Sequence, residues 1–105
     1  MIYLWNKRDI NKAIHYFTLS ANQNHSVAQC NLGLIYSEGE YVTRDISKEI
    51  HYLTLAAKQN QSDAQYHLGF IYSEGEYVTR DISKGIHYLT LAANQNHSEA
   101  NFVLV

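Results

Sequence analysis

The chain has 105 residues, 46% of them apolar, with eight basic and ten acidic side chains and a formal net charge of −2. That is enough chain for one modest domain, and its charge balance excludes the basic footprint of a nucleic-acid or anionic-membrane binder. No apolar run approaches the roughly 18 residues of a bilayer-spanning helix, the lone Cys30 excludes an intrachain disulfide, and the opening MIYLW is too short for a secretory leader core, so a cytoplasmic setting is expected.

The first predicted element is a helix over 9–24, written DINKAIHYFTLSANQN. Asp9 stands where a carboxylate can cap a helix start, and Asn24 stands where asparagine can end one in the left-handed conformation. A second helix opens at Ser26. The S-x-x-Q spacing of Ser26 and Gln29 predicts a capping box, with the hydroxyl taking one free backbone N–H and the glutamine reaching back to another. Ala28, Leu32, Ile35 and Tyr36 share one face of this helix, and Gly39 ends it. The segment Glu38-Gly39-Glu40-Tyr41-Val42 forms a loop. Asp45 then caps a third helix, whose Ile46, Ile50, Leu53 and Ala57 make an apolar stripe and which Asn60 terminates. From Ser62 the pattern restarts with Gln65, Ala64, Leu68, Ile71, Tyr72, Gly75, Asp81 and Asn96, and Ser98 opens it once more with Asn101 in the glutamine's place.

The restart is a repeat. GLIYSEGEYVTRDISK from Gly33 recurs from Gly69 with one change, an offset of 36 residues. A fixed period of this size marks a stack of supersecondary units that bury their apolar faces on their neighbours. The expected fold is all-α: an α/α superhelical solenoid of antiparallel helix pairs with a 36-residue repeat. Its expected parts are a helix B at 9–24, full units at 26–60 and 62–96, and a truncated helix A at 98–105. Gly33 and Gly69 sit inside helices, where glycine costs about 1 kcal/mol against alanine, so a neighbouring helix is expected to approach closely there. Residues 101–105 stop before a glycine terminator, and no polar helix caps the stack. A fragment of a longer chain is therefore expected, helical but marginal, and prone to self-association through its C-terminal end.

The layout resembles the Sel-one-like repeat (SLR) family, relatives of the tetratricopeptide repeats. Ala28, Leu32, Gly33, Tyr36, Gly39, Val42, Asp45, Lys48, Tyr52, Ala56 and Ala57 fill the family pattern. Ala64, Leu68, Gly69, Tyr72, Gly75, Val78, Asp81, Lys84, Tyr88, Ala92 and Ala93 fill it again. The pattern's second loop glycine is Tyr41 and Tyr77 here. The alanine after its lysine is kept as Ala13 but becomes Glu49 and Gly85. The resemblance implies a non-catalytic module that grips a protein or peptide along a concave surface lined by helix A. Two alternatives follow from it: an accessory repeat region of a larger signalling enzyme such as a protein kinase, or a hydrolase of the cysteine-rich branch, against which a single cysteine argues.

The mismatches between units suggest where a partner would sit. Residues 26–61 and 62–97 differ at seven of 36 positions. Four lie on helix A at i, i+3, i+4 and i+7: Val27/Asp63, Cys30/Tyr66, Asn31/His67 and Leu34/Phe70. They share a face apart from the unvarying packing residues. Cys30, Asn31, Leu34, Tyr66, His67 and Phe70 are therefore expected to line the groove, with Asp63 and Glu99 at its edge and Phe102 continuing it. Aromatic residues such as Tyr66 and Phe70 suit protein contacts. Drift between young copies would give the same mismatches.

No catalytic constellation stands out. Cys30 lacks an evident base, and Glu38, Glu40, Glu74 and Glu76 read as solvated loop charge. No phosphate-cradling or dinucleotide motif is present, and no cofactor or metal is expected. His15, His51 and His87 recur at one position of helix B, where a repeat spacing keeps them too far apart to share a zinc ion. The sequons at Asn24, Asn60 and Asn96 read as turn chemistry rather than glycosylation sites. Tyr41 and Tyr77 fall in loops where they could be exposed.

Overall fold

The computed structural model describes residues 7–39 and 42–95, which form five helices. They are α1 (Lys7–Asn22), α2 (Ser26–Glu38), α3 (Ile46–Lys58), α4 (Ser62–Glu74) and α5 (Ile82–Ala93). Each packs against the next in sequence, and α2 also touches α4 across one unit. This neighbour-to-neighbour contact makes the described chain an α/α solenoid, elongated at 41 × 26 × 24 Å. No strand occurs among the described residues.

The punctuation of the helices is local chemistry. Asp45 and Asp81 cap α3 and α5, each side chain accepting from the backbone N–H of Lys48 (3.1 Å) or Lys84 (3.0 Å). Gly39 and Gly75 end α2 and α4 in the left-handed region at φ 68° and 66°, where a side chain would be strained. Asn24 and Asn60 do the same at φ 69° and 68°. Around Asn60, the Gln61 N–H bonds Ala56 O and the Asn60 N–H bonds Ala57 O, the paired closure that satisfies the last helical carbonyls. Asn24 sits in the same closure with Ser20 and Ala21. The sequons at Asn24 and Asn60 thus serve as turns; Asn96 lies outside the described residues.

Two expectations about helix starts are corrected. Asp9 is not a cap, because Lys7 and Arg8 before it are already helical. The expected capping boxes are not formed. The cap positions of α2 and α4 are His25 and Gln61, neither with a side-chain cap bond, and Ser26 and Ser62 are already helical. Gln29 and Gln65, both 1% exposed, turn inward instead. Gln29 Nε2 donates to Ala21 O at 3.1 Å and Gln65 Nε2 to Ala57 O at 3.2 Å. A buried amide far from water gains more by satisfying a neighbouring helix than by reaching back to a solvated helix end.

The core runs along the stack. Leu32, Leu53 and Leu68 are fully buried, as are Ala56, Ala64 and Ala92. Tyr36 stacks on Tyr52, and Tyr72 on Tyr88, with ring centroids 6.4 and 6.3 Å apart. The helical glycines admit close packing, as expected. A Cβ on Gly33 would lie 2.6 Å from Leu53 Cγ, and one on Gly69 would lie 2.5 Å from Leu89 Cγ. Each leucine of helix B sits in the notch that its helix A glycine leaves open.

Candidate functional site

Helix A is enclosed on most of its circumference. On α2, Ala28 and Leu32 pack with Ala21, Ile14 and Phe17 of α1, while Gly33 receives Leu53 of α3. The remaining face carries Val27, 61% exposed, followed by Asn31 and Leu34, both half-buried. On α4 the same positions hold exposed Asp63 and half-buried His67 and Phe70. The expected stripe therefore exists in part.

Its membership differs from the expectation at Cys30. That side chain is 4% exposed and lies in the core cluster with Leu53, Ala56, Ala57, Ala64 and Leu68. The physical reason is angular: i+3 is about 60° round the helix from i, enough to carry position 30 from the open face into the seam between units. Burial, and then the nearby Asp63 charge, push the Cys30 thiol up from 9.0 to about 11. Tyr66, the equivalent residue on α4, packs beside Leu89 and Ala92 and meets Phe70 edge to face at 4.9 Å. Leu34 also packs against the core cluster. The exposed residues are thus Val27 and Asp63, with Asn31, Leu34, Tyr66, His67 and Phe70 half-buried beside them. Val27 was a varying position and belongs in the set. Phe102 and Glu99 lie outside the described residues.

A second feature lies at the loop end of the stack, where Arg44 and Tyr77, from successive units, meet. The guanidinium sits 3.9 Å above the Tyr77 ring centroid, and its Nη2 reaches Glu49 Oε1 at 3.5 Å. Glu49 is only 3% exposed. Burial raises its carboxyl above the usual range, and Arg44 only partly offsets this. Arg44 Nε is buried without an acceptor. A cavity of about 130 Å³ opens here, with Ile46 and Ile71 as its apolar walls and Glu74, Glu76 and Tyr77 completing it. Sequence reasoning passed over this corner. The available signal was the Glu49/Gly85 mismatch, the one helix B interior position at which the units differ. In the second unit, with glycine at that place, Arg80 turns instead to Ser73 O at 3.1 Å.

The histidine ladder has a packing geometry. His15, His51 and His87 are exposed, and each ring sits against that of the following tyrosine at 5.0 to 5.4 Å. Among the described residues no group of three or more His, Cys, Asp or Glu side chains could hold a metal ion, and no helix is long and apolar enough to cross a membrane. Tyr77 is 52% exposed; Tyr41 lies outside the described residues.

Comparisons with known proteins agree with this architecture. The sequence profile of the Sel1 repeat matches residues 7–25, 26–61 and 62–97. No curated protein matches the sequence. Among solved structures, the chain is similar to a Sel1 repeat protein from Oxalobacter formigenes, with 35% identity and a TM-score of 0.78 over 85% of this chain. It is also similar to c5321, described as a protective antigen of uropathogenic Escherichia coli strains displaying an SLR fold, with 28% identity and a TM-score of 0.77 over 83% of this chain. The match spans 36% of the first protein and 19% of the second. With three consecutive repeat matches, the notched glycines and the neighbour-to-neighbour helix stack, the chain belongs to the Sel1 repeat family.

Proposed function

We propose that this chain is a non-catalytic protein-interaction scaffold that holds a partner segment along the open faces of α2 and α4. Sel1 repeat proteins are generally protein-interaction scaffolds, which supports the class of function. The observation that carries the surface is the exposed stripe. Exposed Val27 and half-buried Asn31 on one helix, and exposed Asp63 and half-buried His67 on the next, differ between units. Among the packing residues of helix A, Ala28, Gln29, Leu32 and Gly33 recur unchanged as Ala64, Gln65, Leu68 and Gly69, while Cys30 gives way to Tyr66. A solenoid that keeps most of its packing residues and varies an open face presents a different chemical surface at each step along the stack. Leu34 and Phe70 border the stripe and supply apolar contact.

The test compares the wild-type chain with a Val27→Glu/His67→Glu variant as immobilised baits, after circular dichroism shows equal helicity. A protein captured by the wild type is then purified and its affinity for both baits measured. The reading expects a loss of at least about tenfold, or roughly 1.4 kcal/mol, in the variant. Equal affinity for two equally folded baits removes the stripe as the binding surface.

A further inference from the structure

We propose that the cavity beside Arg44 and Tyr77 binds the side chain of a single lysine presented by a partner polypeptide, an inference that rests on the scaffold reading above. Three acidic residues, Glu49, Glu74 and Glu76, line the cavity with one basic residue, Arg44. The imbalance matters most at Glu49, which is 3% exposed. Its pairing with Arg44 reaches one oxygen, at 3.5 Å, the outer limit of a useful hydrogen bond. The same guanidinium is shared with the Tyr77 ring, over which it sits at 3.9 Å. A buried carboxylate held by so distant a cation is poorly compensated for its lost hydration. A second cation in the cavity supplies what Arg44 does not.

The walls select the form of that cation. The cavity, about 130 Å³, is well below the roughly 300–1,000 Å³ of small-molecule sites, so it takes one side chain rather than a cofactor. Ile46 and Ile71 suit the methylene stem of a long basic residue, which buries its carbons while its charged head stays among polar groups. Glu74 and Glu76 are exposed and draw the ammonium in. A compact ammonium with three donors can share carboxylates that converge from different directions. A second guanidinium would need one carboxylate presented flat for a two-bond contact, and the Glu49 carboxylate is already shared with Arg44. The second described unit cannot build the same site, because Gly85 replaces Glu49.

The experiment is a titration of the isotopically labelled chain with Nα-acetyl-lysine-N-methylamide, followed by amide and guanidinium NMR shifts. The norleucine analogue, which keeps the stem and lacks the ammonium, is the control. The proposal expects saturable shifts centred on Arg44, Glu49 and Tyr77 with a Kd on the order of 1 mM, little response to norleucine, and at least severalfold weakening in Glu49→Gln. Because Glu49 is buried, the exposed pair Glu74→Gln/Glu76→Gln provides a second variant that does not touch the core, with the same direction expected. Absence of saturable shifts, an equal response to norleucine, or unchanged binding in both variants overturns the proposal. A capped amino acid makes no use of the α2–α4 stripe, so failure here and failure of the stripe test are separate results.

Discussion

Gln59 donates its side-chain amide to the side-chain carbonyl of Gln29 across 2.7 Å. Gln29 in turn donates to Ala21 O at 3.1 Å, so the two residues tie α3, α2 and α1 together. The next unit repeats the bond from Gln95 to Gln65 at 2.8 Å. Gln29→Leu keeps much of the volume but removes both bonds, and is expected to cost about 1–3 kcal/mol. Gln59→Ala, at an exposed position, should cost less. A double-mutant cycle in urea should show coupling of at least about 0.5 kcal/mol. Zero coupling would mean that Gln29 stabilises its own helix end and not the unit.

The notch between Gly69 and Leu89 reverses a familiar substitution. Glycine to alanine inside a helix ordinarily gains about 1 kcal/mol. Here a Cβ would lie 2.5 Å from Leu89 Cγ and 3.2 Å from Gly85 O, so overpacking at a typical cost of about 1–3 kcal/mol outweighs the gain. Gly69→Ala should lower the thermal midpoint. In a Leu89→Ala background, where the two closest obstructing atoms are gone and only Gly85 O at 3.2 Å remains, the same change should cost much less or become neutral. A gain for the single variant in the wild-type background would show that α4 and α5 can separate at no cost.

Much of this structure was legible in the sequence because its signals are local. Asp45 and Asp81 cap helices through a backbone three residues away. Gly39, Gly75, Asn24 and Asn60 end helices through their own backbone angles. The 36-residue period placed the helices in register. What stayed hidden depends on neighbours. The spacing of Ser26 and Gln29 is equally compatible with a capping box and with an inward amide, and only burial against Ala21 and Gln59 decides between them. Cys30 shared a stripe with Asn31 on a helical wheel, but the boundary between open face and seam depends on where α4 lies. Arg44 meets Tyr77 across two loops, and no periodicity links residues 33 apart.

Cys30 offers a direct reading of that seam. Its thiol is 4% exposed and its folded pKa rises from 9.0 to about 11 through burial and then the charge of Asp63. Thiolate is the reactive form, so the native chain should resist alkylation at neutral pH and react quickly in denaturant. The raised value also sets a sign. The native state holds this proton more tightly than the unfolded state, so the contribution is intact below pH 9 and is lost as pH climbs toward 11. Cys30→Ala should flatten the stability profile across that alkaline window. Rapid labelling of the folded chain would put position 30 on the open groove.

Glu49 gives the opposite end of the pH scale and a sharper test of the corner it shares with Arg44. Burial lifts its carboxyl above the usual 4.5, and the guanidinium, which acts in the other direction, does not restore it. The folded state therefore binds this proton more readily than the unfolded state does. By linkage, the contribution of this group is fully present below the unfolded value and is lost as pH rises through the folded one. Relative to wild type, Glu49→Gln cannot lose that contribution, because it never ionises. The stability difference between the variant and the wild type should consequently grow in the variant's favour as pH rises from 4.5 upward, then level off. Urea midpoints measured at closely spaced pH values resolve this. A difference that moves the other way would show that Arg44 over-compensates Glu49 and that the pair stabilises the fold as an ion pair. A difference that does not move at all would show that water reaches the carboxylate in solution.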